Sequence, residues 1–123
     1  RILGPDHPDT LTSRNNLAYA YQAAGDLNRA IPLYERTLAD TERILGPNHP
    51  NTLTSRNNLA YAYQAAGDLN RAIPLYERTL ADAERILGPD HPNTQAIRNN
   101  LAAARARASR CGWRRLLARR RSR

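Results

Sequence analysis

The chain has 123 residues, enough for at most one ordinary domain, and its formal charge of +8 is confined to one end. Residues 1–98 hold ten arginines and eleven acidic residues, whereas residues 99–123 hold nine arginines and no acid. The lone cysteine, Cys111, excludes an internal disulfide, and no apolar run approaches the roughly 18 residues of a membrane span. We therefore expect a cytoplasmic protein whose net positive charge lies in a C-terminal tail.

Two further features of composition concern the origin of the chain. All nineteen basic residues are arginine, which we attribute to the coding bias of a GC-rich, bacterial genome and not to a functional choice. The chain begins at Arg1 in the middle of a repeated unit and contains no methionine. We expect it to be part of a longer protein.

A 42-residue unit dominates the sequence. Residues 1–42 and 43–84 differ at only three positions, and a third, truncated copy follows. Self-similarity at a period between about 20 and 50 residues is typical of stacked repeats. The periodicity therefore predicts a solenoid, and arrays of this kind usually bind partners and seldom catalyse reactions.

Each copy begins with a turn and a first helix, which we call helix A. In the first copy, Gly4 and the proline after it predict the end of a preceding helix. The next helix is expected over Pro8–Ala24 and is stopped by Gly25. Its apolar face at helical spacing comprises Leu17, Ala18, Tyr21 and Ala24.

The second helix of the unit, helix B, is expected over Leu27–Leu45. Asp26 is placed to cap it by accepting a hydrogen bond from an early backbone N–H. Pro32 lies inside this helix and predicts a mild bend without a break. The apolar stripe consists of Leu27, Ala30, Ile31, Tyr34, Leu38, Thr41 and Leu45. The second copy repeats the pattern over residues 50–87.

The third copy has a helix A, expected over Pro92–Ala108, but no helix B. Gln95 stands where the earlier copies have leucine, and Ala103 and Arg105 replace tyrosines. Terminal repeats that turn polar close the ends of such arrays. We therefore divide the chain into an all-α array over residues 1–108, with repeats at about 8–45 and 50–87 and a capping helix at 92–108, and a basic tail over residues 109–123.

The helix pairs resemble the tetratricopeptide repeat, and specifically the 42-residue variety found in kinesin light chains. The consensus positions of the motif fall on Leu17, Ala18, Tyr21, Gly25, Ala30 and Tyr34, and on their equivalents 42 residues later. A Gly-Pro-Asp-His-Pro turn, once with Asn for Asp, and an Asn-Asn-Leu-Ala run each occur three times. The aromatic residue that often begins helix A is replaced here by Arg14 and Arg56. The resemblance implies a right-handed superhelix of about two and a half antiparallel helix pairs, in which helix A lines a concave groove.

On this implied geometry, the groove would bind a protein segment or an extended peptide. The peptide-binding positions are then Thr12, Asn15, Asn16, Tyr19 and Gln22 in the first copy, Thr54, Asn57, Asn58, Tyr61 and Gln64 in the second, and Asn99 and Asn100 in the third. Asparagine offers both donors and an acceptor to a peptide main chain, and tyrosine offers flat apolar surface. In an alternative interpretation, one asparagine of each pair ties helix A to the neighbouring helix.

Nothing in the sequence predicts an enzyme, a metal site or a cofactor. His7, His49 and His91 recur with the repeat, but equivalent positions are separated by at least one helix spacing of roughly 8–10 Å. One zinc ion needs all its ligands at about 2 Å. We therefore interpret the histidines as turn residues. No nucleophile–base pair stands out, and Glu35 and Glu77 are interpreted as parts of solvated helix faces.

The tail supports an alternative function. Arginines flank Trp113, Leu116 and Leu117, which could form a short amphipathic turn. Such a segment could make the protein an adaptor that contacts nucleic acid or an anionic membrane. Alternatively, a block of like charges is a disordered, solvated terminus, or the three apolar residues cover the last helix. Contact with nucleic acid or membrane is expected only through this tail.

The small number of repeats predicts a further property. Stacked arrays generally need at least three repeats for stability. In the first copy, one apolar face of helix A would be covered by the helix B of a preceding repeat. This sequence contains no such preceding helix B. We therefore expect end-to-end self-association or marginal stability.

Overall fold

The structure, a computed structural model, describes the backbone of residues 8–121 and the side chains of residues 9–110. Within that range the chain forms α-helices and connecting turns, with no strand. The helices are α1 (Pro8–Ala23), α2 (Leu27–Leu45), α3 (Pro50–Ala65), α4 (Leu69–Ile86) and α5 (Pro92–Arg121). The all-α prediction is therefore confirmed. The turn predicted around Gly4 lies outside the described residues.

The helix boundaries follow from local chemistry at each end. Asp26 accepts a hydrogen bond from the Arg29 N–H at 3.3 Å, and Asp68 repeats this cap at α4. Gly25 and Gly67, which follow α1 and α3, have φ of +83° and +82°, a left-handed conformation that favours glycine. Pro32 lies inside α2 without ending it, as expected.

Each helix packs against the helix before it and the helix after it, and α3 also packs against α5. The buried residues form one cluster that extends from α1 to α5. It includes Ala18, Ala30, Tyr34, Leu53, Leu59, Tyr76, Ile97 and Leu101. The first repeat differs from the second at one end of the stack. Leu17 is 49% exposed, whereas its equivalent Leu59, over which α2 packs, is 5% exposed.

Buried ion pairs connect successive helices at the position where the motif often has an aromatic residue. Arg56 is 1% exposed and donates to Asp82 on α4 at 2.7 Å and to Glu42 on α2 at 3.2 Å. Burial acts to raise the pKa of Asp82, but the hydrogen bonds from Arg56 and Arg85 outweigh it and the pKa is lowered. The Arg14 hydrogen bond likewise lowers the pKa of Asp40. Arg56 on α3 thus links three consecutive helices, α2, α3 and α4.

Glu35 and Glu77 are exposed, as expected of solvated helix faces, but each also contacts the next helix A. Glu35 on α2 accepts the hydroxyl of Tyr63 on α3, and Glu77 on α4 accepts Arg105 on α5 at 2.7 Å. Because the second residue of each pair belongs to the next helix A, the helix periodicity of a single helix could not reveal the contact. The tyrosine-to-arginine change in the third copy replaces one partner of the glutamate with another.

The capping helix is longer than expected. It was predicted to end at Ala108, but α5 continues to Arg121. Alanine, arginine and leucine favour helix, and Pro92 is the last proline of the chain. Helix α5 therefore runs through the predicted junction between the array and the tail. The side chains of Trp113, Leu116 and Leu117 lie outside the description.

Candidate peptide-binding groove

The predicted groove residues lie on the A helices of three successive repeats. Those of the first copy are on α1, those of the second on α3, and Asn99 and Asn100 are on α5. Thr12, Asn16, Tyr19, Thr54, Tyr61 and Asn99 are exposed, and the other six are half-buried. Hydrogen bonds between side chains cross from one helix A to the next.

The two asparagine rows differ in their contacts. Asn15 donates from Nδ2 to Ser55 Oγ on α3 at 3.3 Å, and Asn57 Oδ1 accepts from Asn100 Nδ2 on α5 at 3.2 Å. Asn15 and Asn57 therefore tie one helix A to the next. This is the arrangement that the alternative interpretation of the asparagine pairs describes.

The glutamines are fixed by buried tyrosines of helix B. Tyr34 donates its hydroxyl to Gln22 Oε1 at 3.0 Å, and Tyr76 donates to Gln64 Oε1 at 2.9 Å. Burial, with a smaller contribution from Tyr19, raises the pKa of Tyr34 to about 12. Burial also raises the pKa of Tyr76 above its usual range. These phenols stay protonated and keep both glutamine side chains in a defined orientation.

The tyrosines of helix A are strongly exposed for aromatic residues. Tyr19 is 65% exposed and Tyr61 is 48% exposed, and both are near the buried tyrosine of their own repeat. Among the described residues, Leu17 is the one other large hydrophobic side chain that is exposed. Tyrosine is enriched in protein–protein interfaces relative to the rest of the protein surface.

A cavity of about 240 Å³ lies between α1, the end of α2 and α3. Five predicted groove residues line it: Thr12, Asn15, Asn16, Thr54 and Asn58. Buried Leu11 and Thr41 and half-buried Leu45 contribute apolar surface. The groove therefore contains a recess at the junction of the first two repeats as well as an exposed surface.

Comparison with known proteins agrees with this geometry. The tetratricopeptide repeat family matches residues 1–42, 15–84 and 56–112. The chain belongs to the tetratricopeptide repeat (TPR) family. The TPR fold is generally a non-catalytic scaffold for protein–protein interactions. No curated protein matches this chain.

Solved structures place the array among TPR proteins of the kinesin-light-chain type. A kinesin light chain-like protein of Podosopora anserina with nearly identical TPR-like repeats is 36% identical, with a TM-score of 0.73. A glutamine-to-methionine variant of that protein is 35% identical, with a TM-score of 0.75. In each case the match covers 98% of this chain and 57% of the other. This chain therefore spans little more than half the length of those TPR proteins.

Two residues that line the cavity were not among the predicted positions. Ser55 is buried, accepts a hydrogen bond from Asn15 and lines the cavity. Asn51, in the turn before α3, lines the same cavity. The available sequence signal was the third copy, because Ser13 and Ser55 recur and isoleucine replaces them at position 97.

The recurrent histidines have a structural contact in this TPR array. His49 Nδ1 accepts the Asn51 N–H at 3.0 Å, and His91 Nδ1 accepts the Asn93 N–H at 3.1 Å. Among the described residues, no group of three His, Cys, Asp or Glu side chains could hold a metal ion. His7 lies outside the description. The histidines at α3 and α5 are therefore helix caps.

Two arginines at the start of the basic region contact the TPR fold itself. Arg105 donates to Glu77, and Arg107 donates to the Gln64 carbonyl oxygen at the end of α3. An arginine at the C-terminal end of a helix can donate a hydrogen bond to a free carbonyl oxygen. Its positive charge also interacts favourably with the negative end of the helix dipole. In the part of the chain described, no helix has the length and apolar composition needed to span a membrane.

Proposed function

We propose that this TPR array is a protein–protein interaction module that binds an extended peptide or partner segment along the helix A surface. The observation that carries the proposal is the exposure of Tyr19 and Tyr61 on successive helices, next to asparagine and threonine side chains. Aromatic rings supply apolar contact area at low entropic cost, and uncharged amides can hydrogen-bond a main chain of any sequence.

The two asparagine rows have different roles in the proposal. Asn15 and Asn57 each use one polar atom of the side-chain amide in a hydrogen bond to the neighbouring helix A. Asn16 and Asn58 line the recess, and Asn16 is exposed. The second row is therefore the better supported row for contact with a ligand, and Asn15, which lines the same recess, has only the unpaired half of its amide for this purpose. Gln22 and Gln64, held by buried tyrosines, present their remaining amide groups beside it.

A selection from a phage-displayed library of random peptides tests the proposal. Peptides selected on the full chain should lose affinity when Tyr19 and Tyr61 are both changed to alanine, and when Asn16 and Asn58 are. Each anchor that matters should weaken binding by about tenfold or more. Asn70→Ala, on the exposed surface of helix B, is the control and should bind normally. Unchanged affinity in both double variants would contradict the groove.

Self-association is the second partner relationship that we propose. Leu17 and Tyr21 on α1 form a shallow depression with Pro32 and Leu33 on α2. In the second repeat, Leu59 and Tyr63, the equivalents of Leu17 and Tyr21, are buried on α3, which packs against α2. In the first repeat Leu17 is 49% exposed in this depression, which Asn28, Arg29 and Arg36 also line, and the open leucine supports end-to-end association of copies.

The alternative function, an adaptor whose arginine-rich tail contacts nucleic acid or an anionic membrane, has weaker support. Arg105 and Arg107, which lead into the tail, contact α4 and α3. Charge that is engaged within the array is less available to phosphate groups. We propose a cytoplasmic setting, which fits the single cysteine.

A further inference from the structure

The recess between the first two repeats differs from its counterpart one repeat later. The first cavity has a volume of about 240 Å³ and lies between α1 and α3, and the second has about 70 Å³ and lies between α3 and α5. Both are built at the same position of the repeat, since Leu11 and Asn15 of the first correspond to Leu53 and Asn57 of the second. The pair therefore provides a comparison within one chain.

The residues that line the two cavities differ at two equivalent positions. Thr54 of the first cavity corresponds to Ala96 of the second, a change that removes atoms and would enlarge the second cavity. Ser55 corresponds to Ile97, which adds atoms and is buried in the wall of the second cavity. Ile97 is therefore a change in the lining that acts to reduce the volume of the second cavity.

The open cavity also contains an incomplete hydrogen-bond arrangement. Asn15 Nδ2 donates to Ser55 Oγ, but Asn15 Oδ1 is buried without a partner. At the second junction, the equivalent oxygen of Asn57 accepts from Asn100. Turning the Asn15 amide over would let Ser55 donate to Oδ1 and would leave the N–H₂ group unpaired instead. In either orientation one half of this amide needs a partner, and a buried polar group without one destabilises the structure.

The lining defines the chemistry of the missing partner. None of the ten residues is ionisable: Leu11, Thr12, Asn15, Asn16, Thr41, Leu45, Asn51, Thr54, Ser55 and Asn58. A charged group would be desolvated there without a counter-charge. A purely apolar group would leave the Asn15 amide unpaired. An uncharged amide, which has both a donor and an acceptor, fits either orientation of Asn15.

We propose that the cavity between α1 and α3 is a binding site for one uncharged amide group of the ligand, that Asn15 pairs with that amide, and that Ser55 keeps the site open. Ile97 closes the equivalent place between α3 and α5. The inference rests on the proposed peptide-binding function and adds a position to it, because the anchored residue then lies at the junction of the first and second repeats.

The amide could come from an asparagine or glutamine side chain or from the peptide main chain. Two small probes distinguish these sources in the full-length protein: propionamide represents the side chain and N-methylacetamide represents the main chain. Propionate is the charged control of similar shape. Side-chain amide signals in ¹H–¹⁵N NMR spectra report binding, and the Asn15 signal is assigned by its absence in Asn15→Leu.

We expect an amide probe at millimolar concentration to shift the Asn15 signal, whereas propionate leaves it unchanged. Ser55→Ile should abolish the shift, and Ile97→Ser should create a second responding site at Asn57. Thermal unfolding of both variants checks the fold, and Ser55→Val is a smaller change should isoleucine prevent folding. An Asn15 signal that ignores both amides, or a response that persists in Ser55→Ile and in Ser55→Val, would overturn the inference.

The outcome is separable from that of the peptide selection. If selected peptides bind and Ser55→Ile weakens them about tenfold, the cavity anchors the ligand. If peptides bind with unchanged affinity to Ser55→Ile and the probes give no shift at Asn15, the groove proposal stands and the amide site is wrong. If the probes bind at Asn15 but no peptide is selected, the amide site stands and the groove proposal fails.

Discussion

At the scale of single residues, the repeat gives nearly identical sequences different environments. Arg56 is 1% exposed, whereas the side chain of Arg98, at the same position of the next repeat, is 43% exposed. Both pair with a glutamate of the preceding helix B, but Arg56 also reaches Asp82 on the following helix. Copy three has no following helix B, so its arginine lacks that third contact. Burial and partner number therefore depend on the position in the stack.

The matched pair of arginines gives the first prediction. Arg56→Met should lower the free energy of unfolding by about 2–3 kcal/mol, because it leaves the partly buried Asp82 and Glu42 without their cation. Arg98→Met should lower it by less than about 1 kcal/mol, since exposed ion pairs contribute little. Urea unfolding followed by circular dichroism measures both. Equal losses in the two variants would contradict the buried role of Arg56.

A second residue-scale prediction concerns the histidine caps. His49 Nδ1 accepts one of the backbone N–H groups at the start of α3, which otherwise has no partner within the helix. His49→Ala should therefore destabilise the protein by about 1 kcal/mol. His49→Asp restores an acceptor and a negative charge at the helix start, and should be as stable as the wild type. An alanine variant with wild-type stability in thermal and urea unfolding would show that the cap is unimportant.

At the scale of helices, the repeats are joined by contacts between one helix B and the next helix A. The glutamate at the middle of helix B serves both junctions, with Tyr63 as its partner at the first and Arg105 at the second. The hydroxyl and the guanidinium group both donate to the carboxylate. This explains how the terminal repeat can exchange tyrosine for arginine and still dock.

The Tyr63 phenol reports on the first of these junctions. Burial raises its pKa from 10.0 to about 12, and the hydrogen bond and charge of Glu35 add to the rise. Glu35→Gln should lower the pKa of Tyr63, but keep it above 10, because burial is the larger cause. NMR titration of ¹³C-labelled tyrosine measures it. Glu77→Gln, at the other junction, should leave Tyr63 unchanged, and a drop of the Tyr63 pKa to 10 in Glu35→Gln would contradict the role of burial.

The same pKa shift has a consequence for stability at high pH. The folded-state pKa of Tyr63 is raised above the unfolded value of about 10, so the phenol contributes stability that is complete below about pH 10. That contribution is lost as the pH rises from 10 through about 12. Tyr34, whose pKa is raised to about 12 mainly by burial, acts in the same direction.

At the scale of the whole molecule, the two ends of the stack are unequal. The C-terminal end is closed by α5, whose Ile97, Leu101 and Ala104 are buried. The N-terminal end leaves Leu17 half exposed beside Tyr21 and Leu33. Among the described residues, the exposed Leu17 is what supports the proposed association through the N-terminal end.

The open end gives a prediction about assembly. The weight-average mass of the full chain in sedimentation equilibrium should rise with concentration, and Leu17→Asp should keep it at the monomer value while leaving the fold intact. Leu59→Asp is the matched change at the buried position and should unfold the protein, because an unpaired carboxylate in the core destabilises by several kcal/mol. A wild-type chain that stays monomeric at high concentration would contradict end-to-end association.

The sequence by itself determined the repeat, the helix pairs, their caps at Asp26 and Asp68, and the family. These features depend on local chemistry and on a periodicity that is visible along the chain. The helix-to-helix contacts of Glu35 and Arg56, by contrast, join residues 14 to 28 positions apart, and no single-helix pattern contains them. The end of α5 was also missed, since a charged block was expected to prevent a helix that its composition favours.

The candidate groove divides in the same way. The resemblance named its residues, and the peptide-binding role of those residues remains a proposal. Tertiary structure alone decided which of them share a cavity, which asparagine of each pair ties neighbouring helices together, and that Ser55 matters. The physical reason is that a repeat presents the same side chains in every copy, whereas the volume and the hydrogen bonds between two copies depend on both neighbours at once. Ser55 and Ile97 occupy one sequence position and produce two different junctions.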